Sequence, residues 1–491
     1  MWNMTQLEYG TLARRANQIK DELRQGVRRP YKEVIDVFQG DLHKAGMKPL
    51  TFVRQVLAAC VYPPLINSSN LPLDARQRTQ EELGRCVGGS VGEGNGVRRP
   101  YKEVIDVFQG DLHKAGMKPL TFVRQVLAAC VYPPLINSSN LPLDVRQRTQ
   151  EELRRCVGGS NILNVLVNRE ASPRTGVLIP VPCHNKTVLS IMQLGAVAVP
   201  YYLSEEQGWA LQVEELQRAL ESAKGVCNPV ALYIINPGNP AGYVQSQKSV
   251  QEVIRFAWEK RLFLLVDEVY QDCVYGENCE FVSYKRTLSE MGPPFSGTVE
   301  LASFHSVSKS FSGECGLRAG YVELVNLDPA VMKYIHTLFS KDSCETVLGQ
   351  IALDLMMDPP KPGDPSYLLY KQEIEQIRTV LVHNVKRVHE VVNSLPGFSC
   401  SPIEGGLFAF PRLHLTPKAI QKAKELGLQP DTFYCTRLLE EGGVFTGPGW
   451  EYGQKEGTYH IRFCIAVPQD VMEELLRRLS SFHMTFMKDF S

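Results

Sequence analysis

Lys309 lies in the stretch "SVSKSFSGECGLRAG", in which hydroxyl residues precede the lysine and an arginine follows it. A lysine amine is a nucleophile toward carbonyl carbon, whereas hydroxyl groups and an arginine guanidinium are common ligands of phosphate. Ser306, Ser308 and Arg318 are therefore candidates to hold a phosphate beside a reactive amine. Taken alone, a lysine in a serine-rich loop is usually a solvated charge, so this interpretation depends on partners elsewhere in the chain.

Two further stretches place polar residues directly after apolar runs. "YIINPGNPAG" carries Asn239 among turn residues, and "LFLLVDEVYQ" brings Asp267 and then Tyr270 to the end of an apolar run. Taken singly, an Asn-Pro-Gly sequence is mostly a turn, and an aspartate after a strand is mostly a helix cap. In a parallel sheet, however, ligands bind beyond the carboxyl ends of the strands, where these residues are expected to meet Lys309.

Pyridoxal 5'-phosphate is a ligand that needs all of these groups together. Its aldehyde needs an amine to form a Schiff base, and its ring nitrogen needs a carboxylate in order to remain protonated. Its ring hydroxyl needs hydrogen-bond partners, and its phosphate needs hydroxyl groups and a guanidinium. The three stretches together therefore favour this cofactor over three separate structural explanations.

The motifs "NPGNPAG", "DEVYQ" and "SVSKSFSGECGLRAGY" resemble those of the fold-type I, class I aminotransferases. The stretches "LRQGVRRPYKEV", "PLTFVRQVLAAC" and "EGTYHIRF" are similar to the alanine aminotransferases within that family, and the resemblance covers nearly the whole chain. It implies that Lys309 holds the cofactor and shuttles a proton, and that Asp267 pairs with the ring nitrogen. It also implies that Asn239 and Tyr270 bind the ring hydroxyl and that Ser306, Ser308 and Arg318 bind the phosphate. His184 takes the place of a tyrosine that stacks on the ring. The implied substrate-binding residues are Arg462, Asn239 and Gly110, for which Gly40 is the equivalent in an earlier copy of the same segment.

The activity that the resemblance implies is a pyridoxal-phosphate-dependent transamination. L-alanine and 2-oxoglutarate would be converted to pyruvate and L-glutamate, by a homodimer that acts on small amino acids and 2-oxo acids. Two alternatives stay open. One is a degenerate, weak or inactive paralogue that only binds the cofactor or a protein partner, and the other is a different reaction of the same cofactor, such as β-elimination.

The elements that must position these residues alternate between β-rich and helical runs from about Asn161 onward. This alternation predicts an α/β fold with a mainly parallel sheet between helices, as in the fold-type I enzymes. We predict a helical N-terminal arm over residues 1–160, a large cofactor-binding domain over 161–365, and a smaller α/β domain over 366–491 that begins with a long helix.

The predicted arm contains a tandem repeat. Residues 26–90 reappear as residues 96–160 with a shift of 70 positions, and only two positions differ, Ala75 against Val145 and Gly84 against Arg154. So little divergence indicates a recent duplication or an error in gene assembly rather than a structural repeat. Each copy is predicted to be helical over "YKEVIDVFQGDLHKAG" and over "LTFVRQVLAACVYPP".

The chain departs from the family pattern after the repeat. A family segment that includes a strand and a phosphate-binding turn has no counterpart where Ser160 runs into "NILNVLV". The glycines before Ser160 are a candidate substitute, because Gly-rich loops at helix N-termini bind phosphate. His184 and Ala241 also replace a tyrosine and a threonine of the family pattern, which leaves the substrate preference open.

Composition sets the outer limits on function. Lys and Arg together number 53, as do Asp and Glu, so the formal net charge is zero and there is no overall attraction to nucleic acid or anionic membranes. The 13 cysteines include no CxxC pair, which favours reduced thiols over a metal site or a disulfide framework. The N-terminus lacks the apolar stretch of a secretory signal. We therefore expect no metal and a cytoplasmic protein, with a mitochondrial location as the alternative.

Overall fold

The computed structural model describes the chain except for most of the second repeat copy and several short stretches. The described residues are 9–38, 42–43, 46–67, 71–87, 128, 172–277, 279–309, 311–315, 317, 319–339 and 347–491. The helices in these ranges are α1 (Tyr9–Arg24), α2 (Thr51–Val61), α3 (Leu73–Val87), α4 (Asn185–Gln193), α5 (Val213–Ala223), α6 (Gln247–Lys260), α7 (Tyr284–Met291), α8 (Pro329–Phe339), α9 (Val347–Met357), α10 (Tyr367–Ser394), α11 (Pro417–Glu425), α12 (Pro430–Arg437) and α13 (Gln469–Asp489). The strands are β1 (Ile35–Asp36), β2 (Thr175–Val181), β3 (Val197–Tyr202), β4 (Asn228–Ile235), β5 (Phe263–Asp267), β6 (Leu301–Ser306), β7 (Gly320–Val325), β8 (Phe398–Ser399), β9 (Phe408–Ala409), β10 (Arg412–Leu413), β11 (Val444–Phe445), β12 (Gly447–Pro448) and β13 (Ile461–Cys464).

A six-stranded sheet lies at the centre of the large middle part of the chain. Its strands lie in the order β3-β2-β4-β5-β6-β7. The first five are parallel, as the alternation of strands and helices predicts, whereas β7 runs antiparallel to β6. A loop, rather than a crossover helix, joins β6 to β7, and such a connection returns the chain in the opposite direction.

Both faces of this sheet are buried, since successive side chains along a strand point to opposite faces. Leu264 and Val266 of β5 belong to the core that also contains residues of helices α5, α6 and α7. Phe263 and Leu265 belong to the core on the opposite face, with residues of α4. The apolar run of β5 therefore ends where Asp267 reaches the edge of the sheet.

The first half of the arm motif differs from its prediction. Residues 31–38 are not helical but contain the short strand β1, which pairs in parallel with β11 near the C-terminus. The amides of Ile35 and Val37 donate to the carbonyls of Gly443 and Phe445, at 2.8 and 3.2 Å. Pairing with a distant strand outweighs the local helical pattern, because propensity is a weak preference that tertiary contacts override. The second half, "LTFVRQVLAACV", forms α2 as predicted.

The C-terminal part packs on the arm in one shared core. The long helix α10 buries Leu381 and Val388 against the core that also contains α2 and α13. Asn384 ties α10 to the chain after β13, since its Nδ2 donates to the carbonyls of Ile465 and Val467 at 2.9 and 2.8 Å. Strands β12, β13 and β9 form a small antiparallel sheet that carries Arg462. The domain boundaries at residues 160 and 365 stay a prediction.

No helix within the described ranges has both the length and the apolar composition that a membrane span requires.

Candidate active site

Three neighbouring strands end at the same edge of the central sheet and deliver the predicted site residues there. Ile235 at the end of β4 pairs with Asp267 at the end of β5, and Asp267 pairs with Phe304 of β6. Asn239 follows β4, and Lys309 follows β6 by three residues. The parallel register therefore places an amide, a carboxylate and an amine beside each other, as the sequence motifs predict.

Asp267 is held by two donors at the end of β5. The Tyr233 hydroxyl donates to its Oδ2 at 3.0 Å, and the Val269 amide donates to its Oδ1 at 3.3 Å. Burial raises the pKa of Asp267, while these two hydrogen bonds and the charge of Lys309 act in the opposite direction. A protonated ring nitrogen beside this carboxylate would favour its charged form further, because a nearby positive charge lowers the pKa of a carboxyl group.

Asn239, Tyr270 and Arg462 form a buried chain of hydrogen bonds. Asn239 Nδ2 donates to the Tyr270 hydroxyl oxygen at 3.2 Å, and Arg462 Nη1 donates to Asn239 Oδ1 at 3.2 Å. Tyr270 and Arg462 are each only 2% exposed. Burial also raises the pKa of Tyr270 well above its ordinary value, so the phenol retains its proton and can donate to an acceptor on a ligand.

Arg462 is a buried cation whose other polar contacts are to neutral oxygens. Its Nη2 donates to the carbonyl of Phe38 at 2.7 Å, and its guanidinium carbon lies 3.9 Å from the ring centre of Phe408 and 4.3 Å from that of Tyr452. Within the described part of the chain it forms no ion pair, and its buried Nε has no hydrogen-bond partner. A buried guanidinium with an unused N–H suits a carboxylate ligand, which can accept two parallel hydrogen bonds.

Lys309 lies on a tight loop whose backbone folds back on the end of β6. The Gly313 amide donates to the Lys309 carbonyl at 3.3 Å, and the Glu314 amide donates to the Val307 carbonyl at 2.8 Å. The positive charge of Lys309 acts to lower the pKa values of Asp267, His184 and Cys273, against the effect of burial on Asp267 and Cys273. Lys309 therefore contributes a positive charge to the surroundings of the Asp267 carboxylate.

His184 caps the N-terminus of α4 and faces the same space. Its Nδ1 accepts from the Lys186 amide at 3.2 Å, and its ring meets that of Tyr452 edge-on at 6.3 Å. Burial lowers the pKa of His184 to about 3, and the charges of Arg462, Lys186 and Lys309 contribute in the same direction. The imidazole is therefore neutral at neutral pH, which avoids charge repulsion with a protonated cofactor ring.

The remaining predicted site residues divide between those within and those outside the described residues. Ser306 Oγ accepts from the Ser308 amide at 3.0 Å and donates to the Ala319 carbonyl at 3.3 Å, so both serines lie at the start of the Lys309 loop. Arg318 and Gly110 lie outside the described residues, as do the glycines before Ser160. The individual roles of all the site residues stay predictions.

Three contributors to the site were not among the predicted site residues. Tyr233 supports Asp267, Phe38 of the arm offers its carbonyl to Arg462, and Tyr452 covers one face of that guanidinium. Tyr233 lies two residues before Ile235, which pairs with Asp267, so the alternation of side chains along the strand places Tyr233 and Asp267 on the same face of the sheet. The other two reach the site through the tertiary pairing of the arm and the small sheet, which no local pattern reveals.

The described residues fit pyridoxal phosphate at the centre of the site. An amine, a carboxylate and an Asn–Tyr pair converge on one space, and an unsatisfied guanidinium N–H lies at its side. These are the donor and acceptor types that the aldehyde, the ring nitrogen, the ring hydroxyl and a substrate carboxylate require. Among the described residues no cluster of three or more His, Cys, Asp or Glu side chains suits a metal ion.

Comparison with known proteins gives consistent matches. Residues 145–479 match the family model described as aminotransferase class I and II. The chain is 43% identical to human alanine aminotransferase 1, over 98% of this chain and 92% of that protein. It is 35% identical to glutamate–glyoxylate aminotransferase 1 of Arabidopsis thaliana, over 94% of this chain and 90% of that protein.

Solved structures agree at the level of the fold. An alanine aminotransferase from Pyrococcus furiosus matches with a TM-score of 0.63 and 17% identity, and the match covers 100% of both chains. An aminotransferase from Escherichia coli matches with a TM-score of 0.62 and 16% identity, over 97% of this chain and 95% of that chain. The predicted fold class is thereby confirmed.

Proposed function

This chain belongs to the class I and II aminotransferases, and from that premise we propose that it transfers the amino group of L-alanine to 2-oxoglutarate. The products are pyruvate and L-glutamate. The premise itself makes the chain a transaminase that uses pyridoxal 5'-phosphate and acts on amino and oxo acids. The choice of alanine and 2-oxoglutarate rests on the resemblance to alanine aminotransferases.

The bound cofactor supplies an electron sink for the bonds at the substrate Cα. In this chain, Lys309 would hold the cofactor aldehyde until the substrate amine displaces it, and its freed Nζ would then accept and return the proton of the substrate Cα. Asp267 would keep the ring nitrogen protonated, while the Asn239–Tyr270 pair would orient the ring hydroxyl. His184 would cover the cofactor ring as a neutral imidazole, since burial lowers its pKa to about 3.

The observation that supports the proposal best is the state of Arg462. Its guanidinium is 2% exposed, lies against the rings of Phe408 and Tyr452, and keeps one N–H unbonded. Such a group binds one carboxylate in a fixed orientation, as the α-carboxylate of an amino-acid substrate requires.

The test uses the purified full chain with added pyridoxal phosphate. We expect a visible absorption band from the lysine-bound cofactor, a change of that band on addition of L-alanine, and pyruvate formation with 2-oxoglutarate. Lys309→Ala abolishes both the band and the activity, whereas Lys248→Ala, which alters an exposed lysine on α6, changes neither. A chain that forms no band in excess cofactor is the degenerate paralogue instead of an enzyme.

The acceptor specificity is a separate question, because one of the matched relatives carries glyoxylate in its name. Comparing kcat/KM for 2-oxoglutarate and glyoxylate, with alanine and with glutamate as donors, decides between these assignments. A preference for glyoxylate over 2-oxoglutarate overturns the proposed acceptor while leaving the transaminase assignment intact.

Assembly and location complete the proposal. The family resemblance supports a homodimer, which light scattering coupled to size exclusion tests directly. The cysteine usage favours a cytoplasmic location, with the mitochondrion as the alternative, and fractionation of cells that express the tagged full-length chain distinguishes the two.

A further inference from the structure

The loop that carries Lys309 is fastened to the N-terminal arm by a buried ion pair. Arg54 of α2 donates from Nε to Glu314 Oε1 at 2.7 Å and from Nη2 to Glu314 Oε2 at 2.8 Å. Glu314 is 4% exposed, and its carboxylate therefore depends on partners inside the protein. A two-point contact between a guanidinium and a carboxylate fixes orientation as well as distance.

The position of Glu314 makes this contact relevant to Lys309. The Glu314 amide donates to the Val307 carbonyl at 2.8 Å, and the neighbouring Gly313 amide donates to the Lys309 carbonyl at 3.3 Å. Glu314 thus lies opposite the residues that lead into Lys309, at the other side of a closed turn. A shift of Glu314 toward water would pull on both of these hydrogen bonds.

Close packing of the arm on this turn provides a second, independent observation. Gly313 has a φ of +59°, and a Cβ at this position would lie 3.2 Å from His43 Nε2 and 3.3 Å from Leu42 Cβ. A glycine permits both the left-handed backbone and the near approach of the arm. His43 also lies 3.5 Å from Arg54, so the same part of the arm meets both Gly313 and Glu314.

We infer that Arg54 is a positioning residue, which holds the Lys309 loop through Glu314, and that the first copy of the repeat alone has this role. The inference rests on the proposed function, in that Lys309 is taken as the cofactor-binding lysine. The second copy carries an identical stretch with Arg124 in place of Arg54, so the local sequence does not distinguish the two arginines.

One of the two sequence differences between the copies gives a reason why the first copy, and not the second, holds the Lys309 loop. Ala75 of the first copy is fully buried in the core that contains α2. The second copy has Val145 at this position, and its two extra methyl groups would overpack the same space. Added methyl groups in a packed core are destabilising unless the surroundings move. The core around position 75 therefore favours the copy that carries alanine there.

The test compares Arg54→Gln with its matched control Arg124→Gln in the full-length chain. We expect Arg54→Gln to weaken pyridoxal phosphate binding about tenfold or more, because it removes one member of a buried charged pair. It also moves the pH midpoint of the cofactor absorption band, which reports the surroundings of the lysine. We expect Arg124→Gln to leave both within about twofold of the unmodified chain, because only Arg54 is inferred to hold the Lys309 loop.

Two further variants keep the test decisive if Arg54→Gln folds poorly. Arg54→Gln with Glu314→Gln replaces the ion pair by two amides, and we expect this double variant to recover folding and part of the cofactor affinity. Arg54→Lys retains the charge but not the two-point contact, and its cofactor affinity is expected to lie between that of Arg54→Gln and that of the unmodified chain. Full cofactor affinity in Arg54→Gln, or equal losses in the Arg54 and Arg124 variants, overturns the inference.

A readout without cofactor separates this inference from the proposed function. The rate at which an amine-acylating reagent modifies Lys309, measured by mass spectrometry relative to Lys248, reports the loop directly. An unmodified chain that binds no cofactor refutes the proposed function. The inference still stands if Arg54→Gln alone changes the acylation of Lys309, and it fails if that rate is the same in all variants.

Discussion

Glu268 follows Asp267 directly but points into the core under α7. Its side chain is 1% exposed, and it accepts a hydrogen bond from the Tyr284 amide at 2.9 Å and one from the Ser303 hydroxyl. His305 Nε2 lies 4.0 Å from its Oε2, and the charge of Glu323 on β7 also acts on it. Burial raises the pKa of Glu268 from 4.5 to about 7, and the two hydrogen bonds only partly oppose this effect.

This shift makes the stability of the protein depend on pH in a defined direction. A carboxyl group with a raised pKa in the folded state keeps its proton there after the unfolded chain has lost it. The free energy of unfolding therefore falls as pH rises from about 4.5 to about 7 and is constant above that range. At 1.36 kcal/mol per pKa unit, the full loss from Glu268 is about 3 kcal/mol.

Glu268→Gln isolates this contribution, because the amide keeps an oxygen that can accept a hydrogen bond but does not ionise. Urea unfolding at pH 5 and pH 8 is the assay. We expect the free energy of unfolding of the variant, relative to the unmodified chain, to rise by about 2 to 3 kcal/mol between the two pH values. The control Glu290→Gln, on α7 and 44% exposed at its side chain, lacks this trend. A constant difference between Glu268→Gln and the unmodified chain at both pH values refutes the reasoning.

Two further substitutions test the site itself. Arg462→Gln removes the buried cation, and the KM for alanine is expected to rise roughly 100-fold while cofactor binding persists. Arg462→Lys is expected to restore only part of the affinity for alanine, since lysine lacks the planar guanidinium. An unchanged KM for alanine in Arg462→Gln, measured by steady-state kinetics, contradicts this role. Tyr233→Phe removes a donor to Asp267 and so raises the pKa of Asp267 further. Cofactor affinity then falls about tenfold, with the larger loss at acidic pH. Tyr201→Phe is the control, because it loses only a hydrogen bond to the backbone carbonyl of Tyr233 and leaves the bond to Asp267 in place. Equal titration curves of cofactor affinity for both variants would exclude a role for the Tyr233 hydroxyl.

Much of the fold was predictable from the sequence, and the exceptions have a physical cause. The β-rich and helical runs predicted the strands and helices of the central sheet, because an apolar strand buried on both faces has a strong local signal. The arm segment over residues 31–38 was predicted to be helical and is not, since β1 is stabilised by β11, a strand 400 residues away. The antiparallel β7 likewise follows from its connection to β6, whose described residues form no crossover helix, rather than from its own residues.

The sequence by itself determined the chemistry of this protein. Lys309, Asp267, Asn239 and Tyr270 could be predicted as one site because a single cofactor requires all four residue types, and because parallel strands bring their ends to one edge. Their identity and order along the chain were enough for this conclusion.

Only the tertiary structure decided how these groups are supported. Phe38 and Arg54 come from the arm, Tyr452 comes from the C-terminal part, and each acts on the site across several hundred residues of chain. Two nearly identical repeat copies offered the same residues, and no local pattern separates Arg54 from Arg124. The distinction arises in the packed core, where Ala75 fits and a valine would be too large, because packing depends on neighbours that are distant in sequence.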